Sequence, residues 1–256
     1  MSRSLPPAKT ADRPEAGRQS DARFGARTLL LALALALVAV PFALLLFLVE
    51  DRWRPLLGAD GGARDDLHRY SLTHPGFVTA MKSLSNSGSA LAWGVLFLLV
   101  VAWLVWRRLP RLAVFVAVTV AGSSLLNTAI KTVVHRTRPA VLDPVVHERG
   151  LSFPSGHSQA AVVGYGVLLL VFMPVLSGVW RRVAVAIAVL MVLAIGFSRV
   201  ALAAHYVSDV LAGYLLGAAW ITAMTALFSV WRIERGRPPV QPTRGLEPGT
   251  GHQRAR

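Results

Sequence analysis

Apolar residues in this chain gather into long runs instead of recurring singly at a helix or strand period. Six runs stand out, at 29–49, 90–106, 112–130, 160–176, 183–203 and 207–231. A helix crosses the hydrocarbon core of a bilayer with about 20 apolar residues, so each run reads as a span. The Leu-Ala alternation at 31–37 belongs to the first run and predicts helix, not strand. Basic residues precede that run, as they would a signal peptide. It exceeds the usual apolar region of about 7–15 residues and no small-residue cleavage site follows, so an uncleaved span with a local kink at Pro41 is expected.

The polar segments complete the layout. Residues 1–27, rich in Arg, Pro and Ser, predict a disordered tail, and 233–256 predict a second one. Residues 28–232 form the membrane domain. Within the polar segment 50–86, Phe77, Met81 and Leu84 recur at helical spacing and predict an outer interfacial helix at about 62–86. The predicted fold class is therefore all-α, a six-span transmembrane helix bundle.

Charge sets the expected orientation. Lys and Arg number 27 against 13 Asp and Glu, a net +14. The excess lies in the two tails and in the short loops holding Arg107, Arg108, Arg111, Arg181 and Arg182. Six spans put these four segments on one side, which the distribution of positive charge makes cytoplasmic. A cell-membrane protein with both termini inside follows. Nucleic acid is not an expected partner, because the charge sits where membrane orientation puts it; the lipid bilayer is. The 50–86 segment offsets its basic residues with Glu50, Asp51, Asp60, Asp65 and Asp66 and belongs outside. The 256 residues include no cysteine, which removes disulfides and thiolate metal sites.

Three clusters of ionisable residues stand at the edges of the apolar runs: Lys131 with Arg138-Pro139, Pro154-Ser155-Gly156-His157, and Ser198-Arg199 with His205 and Asp209. Charge beside a membrane span is costly and marks a functional site by default. The predicted topology puts all three at the outer face. Lys131, Arg138 and Arg199 suit a phosphate cradle, although each alone could be an interfacial anchor. Ser155 and Gly156 open a helix whose backbone N–H groups favour an anion, and Ser155 could equally be its N-cap. His205 and Asp209, four apart on one helix face, can fix an imidazole tautomer and free the other ring nitrogen to attack phosphorus. His157 then serves as general acid. The spacing by itself admits either histidine as nucleophile. His157, His205 and Asp209 could also form a metal site, but three neighbouring cations would repel a divalent ion, so no metal or cofactor is expected.

As patterns the clusters read K-x6-R-P, P-S-G-H and S-R-x5-H-x3-D, in that order. They resemble the signatures of the type-2 phosphatidic acid phosphatase (lipid phosphate phosphatase) superfamily, in its integral membrane branch. That resemblance covers 131–209 without substitution at the defining positions. It implies a core like that of vanadium haloperoxidases and bacterial acid phosphatases, with His205 as nucleophile, His157 as acid, Asp209 orienting His205, and Lys131, Arg138, Ser155, Gly156 and Arg199 holding phosphate. It implies hydrolysis of a lipid phosphate monoester or pyrophosphate through a phosphohistidine. Undecaprenyl pyrophosphate is favoured by analogy, with phosphatidic acid and phosphatidylglycerol phosphate as further candidates. The rivals are a lipid phosphotransferase and a non-catalytic transporter or scaffold on the same core.

The other features have packing readings. Gly213 and Gly217 predict a close helix contact. Ser123, Ser124 and Asn127 predict interhelical hydrogen bonds, and Trp93, Trp103, Trp106, Trp180 and Trp231 an aromatic belt. His68, His74, His135, His147 and His252 read as surface residues.

Overall fold

The computed structural model describes the backbone of residues 14–233 and the side chains of 32–228. Among the described residues there are eight α-helices: α1 Pro14–Glu50, α2 Arg54–Thr73, α3 Pro75–Ser87, α4 Ala90–Trp106, α5 Pro110–Val134, α6 Gly156–Phe172, α7 Gly178–Ala201 and α8 Val207–Ile233. Among the described residues, six helical tracks are long and apolar enough to cross a membrane: Ala32–Glu50, Pro75–Trp106, Pro110–Val134, Gly156–Val175, Gly178–Ala201 and Val207–Phe228. The chain is an integral multi-pass membrane protein.

Local sequence explains where the helices begin and end. Pro75 and Pro110 stand in the first turns of α3 and α5, where a missing N–H costs nothing. Ser89 caps α4 by accepting from Ala92 N–H at 3.2 Å, and Ser155 caps α6. His135 ends α5 in the left-handed region at φ 53°. The chain from 135 to 155 then has no regular structure before α6 begins.

Two boundaries differ from the sequence reading. α1 starts at Pro14, so residues 14–27 are helical where a disordered tail was expected; 1–13 and 234–256 lie outside the described residues. α1 is one continuous helix through Pro41. The single interfacial helix expected at about 62–86 is two helices, broken at His74-Pro75. The second of them, α3, joins α4 in one apolar track of 32 residues interrupted at Gly88-Ser89. The helical period of Phe77, Met81 and Leu84 is real, and that face packs against Ala201, Leu202, Val145 and Val146.

α6 is the hub and packs on α8, α7, α5 and α4. The glycine pair on α8 makes its closest packing possible: a Cβ at Gly213 would stand 2.6 Å from the Ser155 carbonyl oxygen, and one at Gly217 2.9 Å from Val162 Cβ. On the α5 side, Asn127 donates to Gln159 at 2.6 Å, and Gln159 donates to Ser123 Oγ at 2.8 Å. Ser124 is exposed and takes no part. Trp93, expected in an interfacial belt, is buried against Phe97 and Tyr165, where its ring fills the space left by Gly164. Trp106 and Trp180 are exposed. Over the end of the bundle where α6 and α8 begin, α2 lies against α7 and α8.

Candidate active site

The three clusters meet at that end of the bundle. α5 supplies Lys131 from its last turn, the 135–155 loop supplies Arg138, α6 supplies His157 from its first turn, α7 supplies Arg199 from its last turn, and the α7–α8 junction supplies His205 and Asp209. The Ser155 N–H donates to the Asp209 carbonyl oxygen at 2.9 Å, which ties the second cluster to the third.

His205 is 1% exposed and held from both sides. Its Nδ1 lies 3.4 Å from Asp209 Oδ2, at the long limit of a hydrogen bond. Arg138 donates from Nη1 to its Nε2 at 3.1 Å. A guanidinium only donates, so Nε2 carries the lone pair and Nδ1 the proton toward Asp209. Burial pushes the imidazole pKa down to about 4; Asp209 pulls it up, while Arg138 and Arg199 push it down further. The ring is therefore neutral near pH 7, with the lone pair of Nε2 facing Arg138.

The cradle is more heavily engaged than its sequence suggests. Lys131 donates to the Leu151 carbonyl at 2.7 Å and so holds the loop leading into α6. Arg199, 2% exposed, donates to Ser85 Oγ on α3 and, at 2.5 Å, to Glu148 Oε1. Burial opposes ionisation of Glu148, but the Arg199 hydrogen bond and the charges of Arg199 and Arg138 outweigh it and hold the carboxyl below its ordinary range. Arg138 and Arg199 each keep a buried Nε–H without a partner. Buried donors of this kind are normally satisfied, and two of them here suit an anion. A cavity of about 500 Å³ opens beside Arg138, His147, Glu148 and Ala204.

Ser155 serves the structure first. It is fully buried, and its Oγ accepts from Ser158 N–H at 3.4 Å and Ser158 Oγ at 3.0 Å. His157 is half-buried and makes no hydrogen bond to another site residue. Gly156 faces Asn127, whose Oδ1 would stand 3.4 Å from an added Cβ. Among the described residues no three His, Asp or Glu side chains are grouped as metal ligands. His68, read as a surface residue, is buried and bonded through Nε2 to the Leu142 carbonyl at 2.7 Å.

Sequence reasoning missed Arg136, Asp60, Ser208, Ser85 and Glu148. Arg136 donates to Asp209 Oδ1 at 2.6 Å, Ser208 Oγ at 2.7 Å and Asp60 Oδ2 at 2.8 Å, and lies over the Tyr206 ring at 4.3 Å. One signal was available for it. In an extended segment, residues two apart face the same side, so the choice of Arg138 also pointed to Arg136.

In this membrane-spanning helix bundle a histidine–aspartate pair faces Arg199, which is buried, and Arg136 and Arg138, which are partly buried, a set suited to an anion. The sequence matches the PAP2 superfamily over residues 112–233. It is 41% identical over 115 residues to phosphatidylglycerophosphatase B of Bacillus subtilis, a match that covers 44% of this chain and 53% of that relative. Against an undecaprenyl-diphosphatase of Sulfolobus acidocaldarius it is 24% identical over 193 residues, covering 71% of this chain and 87% of the relative. Its fold matches the crystal structure of a transmembrane PAP2-type phosphatidylglycerolphosphate phosphatase from Bacillus subtilis with a TM-score of 0.65 at 25% identity, over 73% of this chain and 94% of the other.

Proposed function

We propose that this protein is an integral membrane lipid phosphate phosphatase that works through a phosphohistidine on His205. The observation that carries this reading is the clamp on His205, with Asp209 at Nδ1 and Arg138 at Nε2. When a phosphate enters, Arg138 exchanges its bond to Nε2 for bonds to phosphate oxygens, and the freed lone pair attacks phosphorus. The P–O bond to the lipid breaks as the P–N bond forms. His157 protonates the departing oxygen, then takes a proton from the water that cleaves the P–N bond and releases inorganic phosphate. Arg138, Arg199 and Lys131 offset the negative charge on the transferring oxygens.

The site lies at one end of the spans, which suits a lipid whose phosphate sits at headgroup depth. The positive charges of the short loops favour the outer face for that end. Phosphatidylglycerol phosphate is the first substrate to test, on the strength of the 41% identity to a phosphatidylglycerophosphatase. Undecaprenyl pyrophosphate comes second, supported by a weaker likeness that spans more of both chains.

The test is phosphate release by purified protein from these two lipids and from phosphatidic acid, with EDTA present and a His205→Ala control. Brief reaction with a radiolabelled donor followed by alkaline quench should trap label on the protein, and acid should discharge it. Activity retained in His205→Ala, or lost to EDTA, would sink the mechanism. Label transferred to an acceptor other than water would make the protein a phosphotransferase.

A further inference from the structure

We propose that Asp60 on α2 is a positioning residue of the active site, acting through Arg136 on the Asp209–His205 pair. The inference rests on the phosphatase reading above. Of the five acidic residues in 50–86, Glu50, Asp51, Asp65 and Asp66 are exposed, whereas Asp60 is 2% exposed. Both its oxygens are used. Oδ1 accepts from the Ser208 N–H at 2.9 Å, and Oδ2 accepts from Ser208 Oγ and from Arg136 Nη2. Ser208 is the second residue of α8, so a carboxylate 148 positions away completes the start of the helix that carries Asp209.

Arg136 then bridges two buried carboxylates, Asp60 on one nitrogen and Asp209 on the other. Its planar fork and its stacking on Tyr206 set both directions at once, which an ammonium could not do. Asp209 thereby keeps Oδ1 on Arg136 and turns Oδ2 toward His205.

Charge gives this geometry a catalytic consequence. Asp60, Arg136 and Asp209 together carry one net negative charge. Attack by Nε2 leaves a positive charge on the imidazole, and the cluster matches it. Without Asp60 the remaining Arg136–Asp209 pair is neutral and offers the developing imidazolium far less. The stabilisation is stronger in the transition state than in the bound substrate, so its loss falls on kcat and spares KM.

The experiment compares wild type, Asp60→Asn, Asp65→Asn and His205→Ala in detergent, with kcat, KM and thermal midpoint measured for each. Asn keeps an acceptor for the Ser208 N–H and removes the charge. Asp60→Asn should lower kcat about tenfold to hundredfold, as loss of an outer-sphere partner commonly does, with KM within about twofold. Asp65→Asn, on the exposed side of α2, should match wild type. A kcat for Asp60→Asn equal to that of Asp65→Asn overturns the inference, as does a loss no larger than the unfolded fraction. If Asp60→Asn does not fold, Arg136→Lys tests the same link, and retained kcat there overturns it. Wild type that releases no phosphate defeats the phosphatase reading and this inference together. An active wild type with inactive His205→Ala and fully active Asp60→Asn defeats this inference alone.

Discussion

Arg138 donates to Nε2 of His205, the nitrogen proposed above to attack phosphorus, at 3.1 Å. The contact fixes the tautomer and gives the guanidinium a second partner when phosphate arrives. Replacing Arg138 by Ala should remove both effects. A fall in kcat/KM of about 10²–10³-fold is expected, as for loss of a transition-state donor. Arg138→Lys should recover only part of it, because a point charge cannot serve Nε2 and the Ala204 carbonyl in the same geometry. Steady-state kinetics on one lipid phosphate would check both.

The depressed pKa of His205 sets a pH dependence. On the proposed mechanism the ring must be neutral to attack, and burial holds its pKa at about 4 instead of 6.5. The acid limb of kcat/KM should therefore fall well below pH 6. The stability effect has the same origin: the unfolded chain protonates this histidine near 6.5 and the folded chain does not, so this contribution to stability is present above 6.5 and is lost as the pH falls from there toward 4. A pH–rate profile between 4 and 8 with its acid limb at 6.5 would assign the limb to another group.

On the phosphatase reading, Glu148 competes with substrate for Arg199. Its carboxylate sits on the guanidinium at 2.5 Å, while its side chain remains 32% exposed at the edge of the cavity. A phosphate entering the cradle must displace it. Glu148→Gln should lower the KM and strengthen inhibition by inorganic phosphate severalfold, with kcat little changed. An unchanged phosphate inhibition constant would mean that the substrate does not use this face of Arg199.

The glycines of α8 admit α6 at the level of the site. A side chain at Gly213 would meet the Ser155 carbonyl and Ser158 Cβ. Gly213→Val should cost about 1–3 kcal/mol of stability by overpacking and should lower kcat by shifting the first turn of α6. Gly94, on α4 with nothing within 4 Å of an added Cβ, is the matched control. Thermal unfolding of Gly213→Val and Gly94→Val in detergent would compare the two.

The eight site residues proposed from sequence were legible because each belongs to a short motif of fixed spacing, at a helix end or in the segment beside one. Their partners are not marked in this way. Asp60 lies 148 residues from Ser208 and 76 from Arg136, and Ser85 lies 114 from Arg199. In sequence, Asp60 is one of five acids in a polar segment, and only folding separates it from the four that stay in water. Long apolar runs made the spans legible. The break at His74-Pro75 was hidden, because α2 carries too little apolar pattern to announce a separate helix. The burial of Trp93 was hidden for a related reason: its position near a span end suggests an interface, and only Gly164 on the facing helix makes room for it inside.

The interruption at Gly88-Ser89 turns α4 into a depth gauge. Its 17 residues rise about 26 Å at 1.5 Å each, a little less than a hydrocarbon core of about 30 Å. α3 continues the same apolar track beyond that height and delivers Ser85 to Arg199. On the phosphatase reading, the anion seat then lies near one end of the apolar tracks, where a lipid presents its phosphate without its chains leaving the leaflet.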